Sequence, residues 1–118
     1  MRSIRGAISA EENTKENILE NTKLLLEEII KENNLNTEDI ISILFTCTKD
    51  LTKVYPAVAA RGLGIVNAAL MCCDELYIEG SMNMCIRVMV NADINVKQSE
   101  VQHVYLKEAK KLRPDLAK

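Results

Sequence analysis

Histidine and large aromatic residues are almost missing from this sequence: 118 residues include one His, no Trp, one Phe and three Tyr. Single-stranded nucleic acid would find no stacking platform. The charge sum, 15 basic against 17 acidic side chains for a net −2, lacks the clustered basic excess of a nucleic-acid-binding domain. Glycine and proline are scarce too, four and two, and no phosphate-cradling glycine loop can be drawn from them. There is no Gly-x-Ser-x-Gly elbow and no Cys-His arrangement for a nucleophile. No apolar run reaches the roughly 20 residues that span a bilayer, and Met1-Arg2-Ser3-Ile4-Arg5 leads into acids instead of a signal-peptide core. These shortages predict a soluble, cytoplasmic protein that binds neither nucleic acid nor membrane.

Cys47, Cys72, Cys73 and Cys85 contain no Cys-x-x-Cys pair, a vicinal Cys72-Cys73 bridge would be strained, and one His103 cannot complete a two-His site. The expectation is no metal, a reducing compartment, and Cys47 and Cys85 acting as small buried hydrophobes.

What is present is an ordinary globular composition, 47% apolar and 27% charged, in a chain sized for one domain, 1–118. Ile4 and Ile8 mark an opening strand over 2–9. Asn13 with Glu16 reads as a capping box, and Ile18, Leu19, Leu25, Leu26, Ile29 and Ile30 recur at helical spacing, predicting a long amphipathic helix over about 14–33. The β-branched run from Ile40 predicts a strand over 41–47. Pro56 and Gly62 bracket a short helix in the usual Pro-start, Gly-stop order. Asn67 to Cys73 and Met84 to Val90 read as strands separated by the turn Glu79-Gly80-Ser81, and Val101 to Leu106 continues the alternation. The result is a mixed α/β (α+β) domain with one sheet face covered by the long and short helices. Its other face lacks a partner, and self-association is the economical cover.

Of the fifteen cations ten are lysines in polar stretches and five are arginines. Arg61 reads as a helix C-terminal charge and Arg113 as a tail residue. Arg87 differs, because Cys85-Ile86-Arg87-Val88-Met89 places a cation in an apolar strand, where it needs either a buried acid or a ligand. Arginine's forked donors suit carboxylates, so converging arginines favour a small polyanion. The adjacent acids Asp74-Glu75 point apart on an extended chain and do not make a two-carboxylate glycosidase site.

Four blocks carry a specific likeness: Ile4-Arg5-Gly6-Ala7; Asp50-Leu51 with Val54-Tyr55-Pro56-Ala57, Ala59 and Arg61; Cys85-Ile86-Arg87-Val88-Met89; and His103-Val104-Tyr105-Leu106 with Leu112-Arg113-Pro114-Asp115-Leu116. Together they resemble the monofunctional, trimeric chorismate mutases of Bacillus type, from about residue 2 to 116. The resemblance implies a homotrimer whose sheets pack as a pseudo-barrel, with sites between subunits, and the cofactor-free Claisen rearrangement of chorismate to prephenate in aromatic amino-acid biosynthesis. It implies that Arg87 faces the ether oxygen of the breaking bond and Glu75 binds the ring hydroxyl, with a one-residue gap between Gly62 and Asn67. Arg5 and Tyr105 would hold a carboxylate and the folded ether, Arg61 and Tyr55 would come from a neighbouring subunit, Cys72 would lie close to the hydroxyl, and Leu112 would bring the tail to the pocket. Val58 departs by standing where some relatives have lysine. A pericyclic step needs neither acid, base nor nucleophile, in keeping with the shortages above. Two rival readings are a trimeric enamine or imine hydrolase, which would not require Glu75, and a non-catalytic module that binds carboxylate metabolites.

Overall fold

The computed structural model describes residues 1–116; Ala117 and Lys118, the end of the polar C-terminal stretch, lie outside the described residues. Strand β1 (Arg2–Ser9) leads to helix α1 (Lys15–Glu32), then strand β2 (Ile40–Cys47), helix α2 (Ala57–Gly62), and strands β3 (Ala69–Asp74), β4 (Cys85–Ala92) and β5 (Val104–Leu106). A 3-10 helix, Lys107–Leu112, follows. The five strands form one sheet in the order β3-β2-β4-β1-β5. It is mixed: β4 runs antiparallel to both β1 and β2, while β3 is parallel to β2 and β5 to β1. The α+β reading therefore holds, with the alternation of the strands deciding which residues enter the core.

One face of the sheet is sealed. Ile4 and Ile8 of β1, Ile43 and Phe45 of β2, and Ile86, Val88 and Val90 of β4 join Ile18, Leu25, Leu26 and Ile29 of α1 in a single buried cluster. Each fully buried Leu or Ile contributes about 1.5–3 kcal/mol against exposure. Gly6 lets the helix sit this close: a Cβ there would lie 2.7 Å from Ile29 Cδ1 and 3.1 Å from Leu25 Cδ1. The opposite face carries a smaller cluster, Ala7, Cys85, Tyr105 and Ala109, with Leu112 and Met82 against it. That cluster exists because the C-terminal segment folds across one end of the sheet. The rest of that face is bare, with Leu44 on β2, Met71 on β3 and Met89 on β4 in register and exposed.

Local details depart from the sequence reading in the α1 cap and in the bounds of three strands, β4 running Cys85–Ala92 against the expected Met84 to Val90. The α1 cap is Thr14, whose hydroxyl accepts the Asn17 N–H at 3.1 Å, and not Asn13 with Glu16. Asn13 is taken by the loop before α2, accepting the Thr52 N–H at 2.9 Å and donating to Thr52 Oγ1 at 3.0 Å. The third strand starts at Ala69, not Asn67, and ends at Asp74. The last strand is confined to Val104–Leu106, since only three residues pair with β1.

Candidate active site

The bare face gathers chemistry that the sealed face excludes. Across the sheet, Thr46 on β2, Arg87 on β4, Ala7 on β1 and Tyr105 on β5 stand opposite one another in register. Arg5 lies on the same face of β1, two residues before Ala7. Its main-chain N–H donates to His103 Nδ1 at 2.9 Å, which fixes β1 against the start of β5. Accepting that bond keeps Nδ1 unprotonated; burial, then the Arg5 and Arg113 charges, pull the His103 pKa below its ordinary value.

Glu75 follows β3. Its N–H donates to the Cys47 carbonyl at 3.2 Å, extending the strand pairing by one bond, and its carboxylate accepts the Thr46 hydroxyl. So held, Glu75 Oε2 stands 2.6 Å from Arg87 Nε. The Glu75 side chain is 16% exposed and that of Arg87 42%. The acid that an arginine in an apolar strand requires is thus Glu75. The contact is an ion pair more than a directional bond: the carboxylate offsets the guanidinium charge, while the Nε–H is not aimed along a hydrogen bond. Leu76, the residue a different gap placement would have put in this role, is 80% exposed.

Tyr105 is buried under the C-terminal segment, in contact with the cluster that includes Ala109 and Leu112. Arg113, one residue on, pairs with Asp115 through both nitrogens of its fork, Nε to Oδ1 at 3.0 Å and Nη2 to Oδ2 at 2.8 Å. That carboxylate lifts the Arg113 pKa above its ordinary value.

Three candidate residues lie elsewhere. Cys72 stands opposite Phe45, on the helix-covered side of the sheet, partly packed against the main core. With Tyr55, Cys47 and Pro56 it lines a cavity of about 800 Å³. Tyr55 is exposed, and Arg61 is exposed in the last turn of α2, a helix that packs on α1 and β3. Within one chain, therefore, Arg5, Glu75, Arg87, Tyr105 and Leu112 share a face, while Tyr55, Arg61 and Cys72 belong to the other side.

Cys47 and Cys85 are poor nucleophiles. Burial pushes Cys47 up to about 12, and burial pushes Cys85 up to about 11 against the opposing Arg87 charge. Cys85 is the small buried hydrophobe expected, whereas Cys47 is only half-buried.

Two supports of the site escaped the sequence reading. Thr46 orients Glu75, but a Thr in a strand is unremarkable by pattern. Asp50 accepts the Met84 N–H at 2.9 and 3.2 Å and the Thr48 hydroxyl at 2.5 Å, while Thr48 Oγ1 accepts the Cys85 N–H at 3.0 Å. These bonds fix the entry into β4, with Met84 at φ 53°, and so place Arg87. The signal for Asp50 was its place in the Asp50-Leu51 block.

Comparison with known proteins identifies the family. The family model "Chorismate mutase type I" matches residues 1–116. The chain is 43% identical over 118 positions to the chorismate mutase AroH of Bacillus subtilis (strain 168), covering 99% of this chain and 93% of that one. It is 41% identical over 117 positions to the chorismate mutase AroH of Thermus thermophilus, covering 98% and 96%. The solved structure of a chorismate mutase from Clostridium thermocellum superposes with a TM-score of 0.90 at 44% identity, covering 92% of this chain and 97% of that chain. The chain belongs to the chorismate mutase type I family.

Proposed function

We infer that this protein is an isomerase that rearranges chorismate to prephenate, a step of aromatic amino-acid biosynthesis, and that it does so by holding the substrate folded and meeting charge on its ether oxygen. Family membership carries the activity. The single structural observation that supports the site is the pair of Arg87 with Glu75, Nε to Oε2 at 2.6 Å, on the bare face of the sheet.

The reaction breaks a C–O bond while forming a C–C bond in the same molecule, so no proton or covalent bond to the enzyme is exchanged. Two things lower its barrier: restriction to the reactive folded form, and a fixed cation beside the oxygen that gains negative charge. Arg87 supplies the cation. Glu75 turns part of its charge toward the ring hydroxyl as substrate enters, which frees the guanidinium to face the ether. Arg5 and Tyr105 hold a carboxylate, and Leu112 closes the tail side. The imine-hydrolase reading has no use for Glu75, and Glu75 is the group held against Arg87.

Tyr55, Arg61 and Cys72 complete such a site only if a second chain presents them. We therefore read the working unit as a homotrimer of single-domain subunits with shared sites, the exposed Leu44, Met71 and Met89 lying against neighbouring sheets. The exposed free thiol of Cys73 favours a reducing compartment, which suits the cytoplasm.

The test follows the loss of chorismate absorbance and identifies prephenate as product. Arg61→Ala and Arg87→Ala should each be nearly inactive alone, and mixing them through reversible dissociation should restore part of the turnover. No recovery on mixing, with subunit exchange verified, rejects shared sites; no prephenate from the wild type above the spontaneous rate rejects the activity.

A further inference from the structure

The chain changes direction sharply at Lys107, where β5 ends and the C-terminal segment begins. Lys107 has φ 55°, a left-handed conformation that a side chain with a Cβ rarely adopts unless its surroundings impose it. What holds it is a polar knot at the start of α1. Lys107 Nζ donates to Glu11 Oε2 at 2.7 Å and to Asn21 Oδ1 at 2.6 Å. Asn21 is 1% exposed, and its amide nitrogen donates to Glu11 Oε1 at 3.0 Å and to the Asn17 carbonyl at 2.9 Å. Asn17 Oδ1 in turn accepts the Glu11 N–H at 2.9 Å. One residue beyond the bend, the Glu108 N–H donates to Ser9 Oγ at 3.0 Å, and the next, Ala109, is wholly buried with Ala7 and Tyr105.

The knot does not include Arg87, yet it sets the direction in which the segment leaves β5. We propose that Lys107, gripped by Glu11 and Asn21, is a positioning residue that holds the C-terminal segment over the substrate site, so that the grip sets substrate affinity without touching the reacting atoms. This rests on the reading above that Tyr105 and Leu112 border the substrate. Glu11 suits the role because its charge persists: the Lys107 ammonium, with help from Asn21, holds its carboxyl down at about 2. A contact made equally in the bound ground state and the transition state appears in KM and not in kcat.

The experiment compares Lys107→Met, Lys107→Arg, Lys107→Gly and Glu11→Gln with wild type in chorismate turnover and in tryptic cleavage at Lys110 and Lys111. Lys107→Met should raise KM about tenfold, with kcat within about twofold, and speed cleavage of the segment. Lys107→Arg should restore much of both. Glu11→Gln should show the same split more weakly, and keeps the test open if Lys107→Met folds poorly. Lys107→Gly separates the grip from the bend, since glycine accepts φ 55° freely; wild-type KM in that variant overturns the proposal, as does faster cleavage with unchanged KM in Lys107→Met. Failure of the underlying site reading looks different: Leu112→Ala and Tyr105→Phe would then leave KM and kcat untouched, whatever Lys107 does to cleavage.

Discussion

Ile86 and Arg87 are neighbours on β4, yet one is sealed beneath α1 and the other stands on the bare face beside Glu75. The alternation of a strand sends them to opposite sides, and the two sides obey different rules. On the sealed side shape decides, to the point that Gly6 has no room for a methyl group. On the bare side charge decides: Arg87 is held against Glu75, and Leu44, Met71 and Met89 stay exposed. The difference teaches that stability and chemistry are carried by alternate residues of the same strands, so that each can be damaged without the other.

The sharpest way to break this comparison is to substitute the two neighbours separately. Arg87→Ala should lose at least a hundred- to thousandfold in kcat, since removing one preorganised donor to a developing anion costs about 3–4 kcal/mol and a full charge more. Arg87→Lys should recover only part, lacking the fork, while the melting temperature of Arg87→Ala falls less than that of Ile86→Ala, since Glu75 loses its ion pair but keeps the Thr46 hydroxyl. Near-normal turnover in Arg87→Ala removes it from the reaction. Ile86→Ala should do the converse, losing about 2–5 kcal/mol of stability in denaturant titration while folded molecules keep their turnover. A large fall in kcat per folded molecule there would show that the two faces are not separable.

A smaller effect sharpens the boundary between them at His103. Its folded pKa lies below the ordinary 6.5, so as pH falls the unfolded chain takes the proton first. The stability this residue contributes is full above about pH 6.5 and is lost as the pH falls through the folded value. Protonating Nδ1 also removes the acceptor for the Arg5 N–H. Melting temperature should therefore decline from about pH 7 to 5, and less steeply in His103→Asn, whose side-chain oxygen can accept the same bond. Parallel declines in the two proteins would take His103 out of the acid response.

Much of the fold was legible in particular residues. Ile4 and Ile8 placed β1, the 3.6-residue spacing from Ile18 to Ile29 placed α1, and Pro56 with Gly62 bracketed α2. Where reading failed, two residues competed for one role. Asn13 and Thr14 can both cap a helix, and the choice fell to Thr14 because the Thr52 loop engages Asn13. Of the site, Arg87 announced itself as a cation in an apolar strand. The tail's crossing of the sheet and the grip on Lys107 left no periodic signal.

The sequence by itself determined which residues alternate between core and bare face, and that the few ionisable groups on that face centre on arginine, because side-chain direction in a strand is a local property of the backbone. Only the tertiary structure decided that Glu75 is the partner of Arg87, that Cys72 turns toward the core while Arg87 turns away from it, and that the C-terminal segment returns over Ala7 and Tyr105. Those outcomes depend on register between strands and on loops that reverse the chain, and register is fixed by packing against the rest of the molecule.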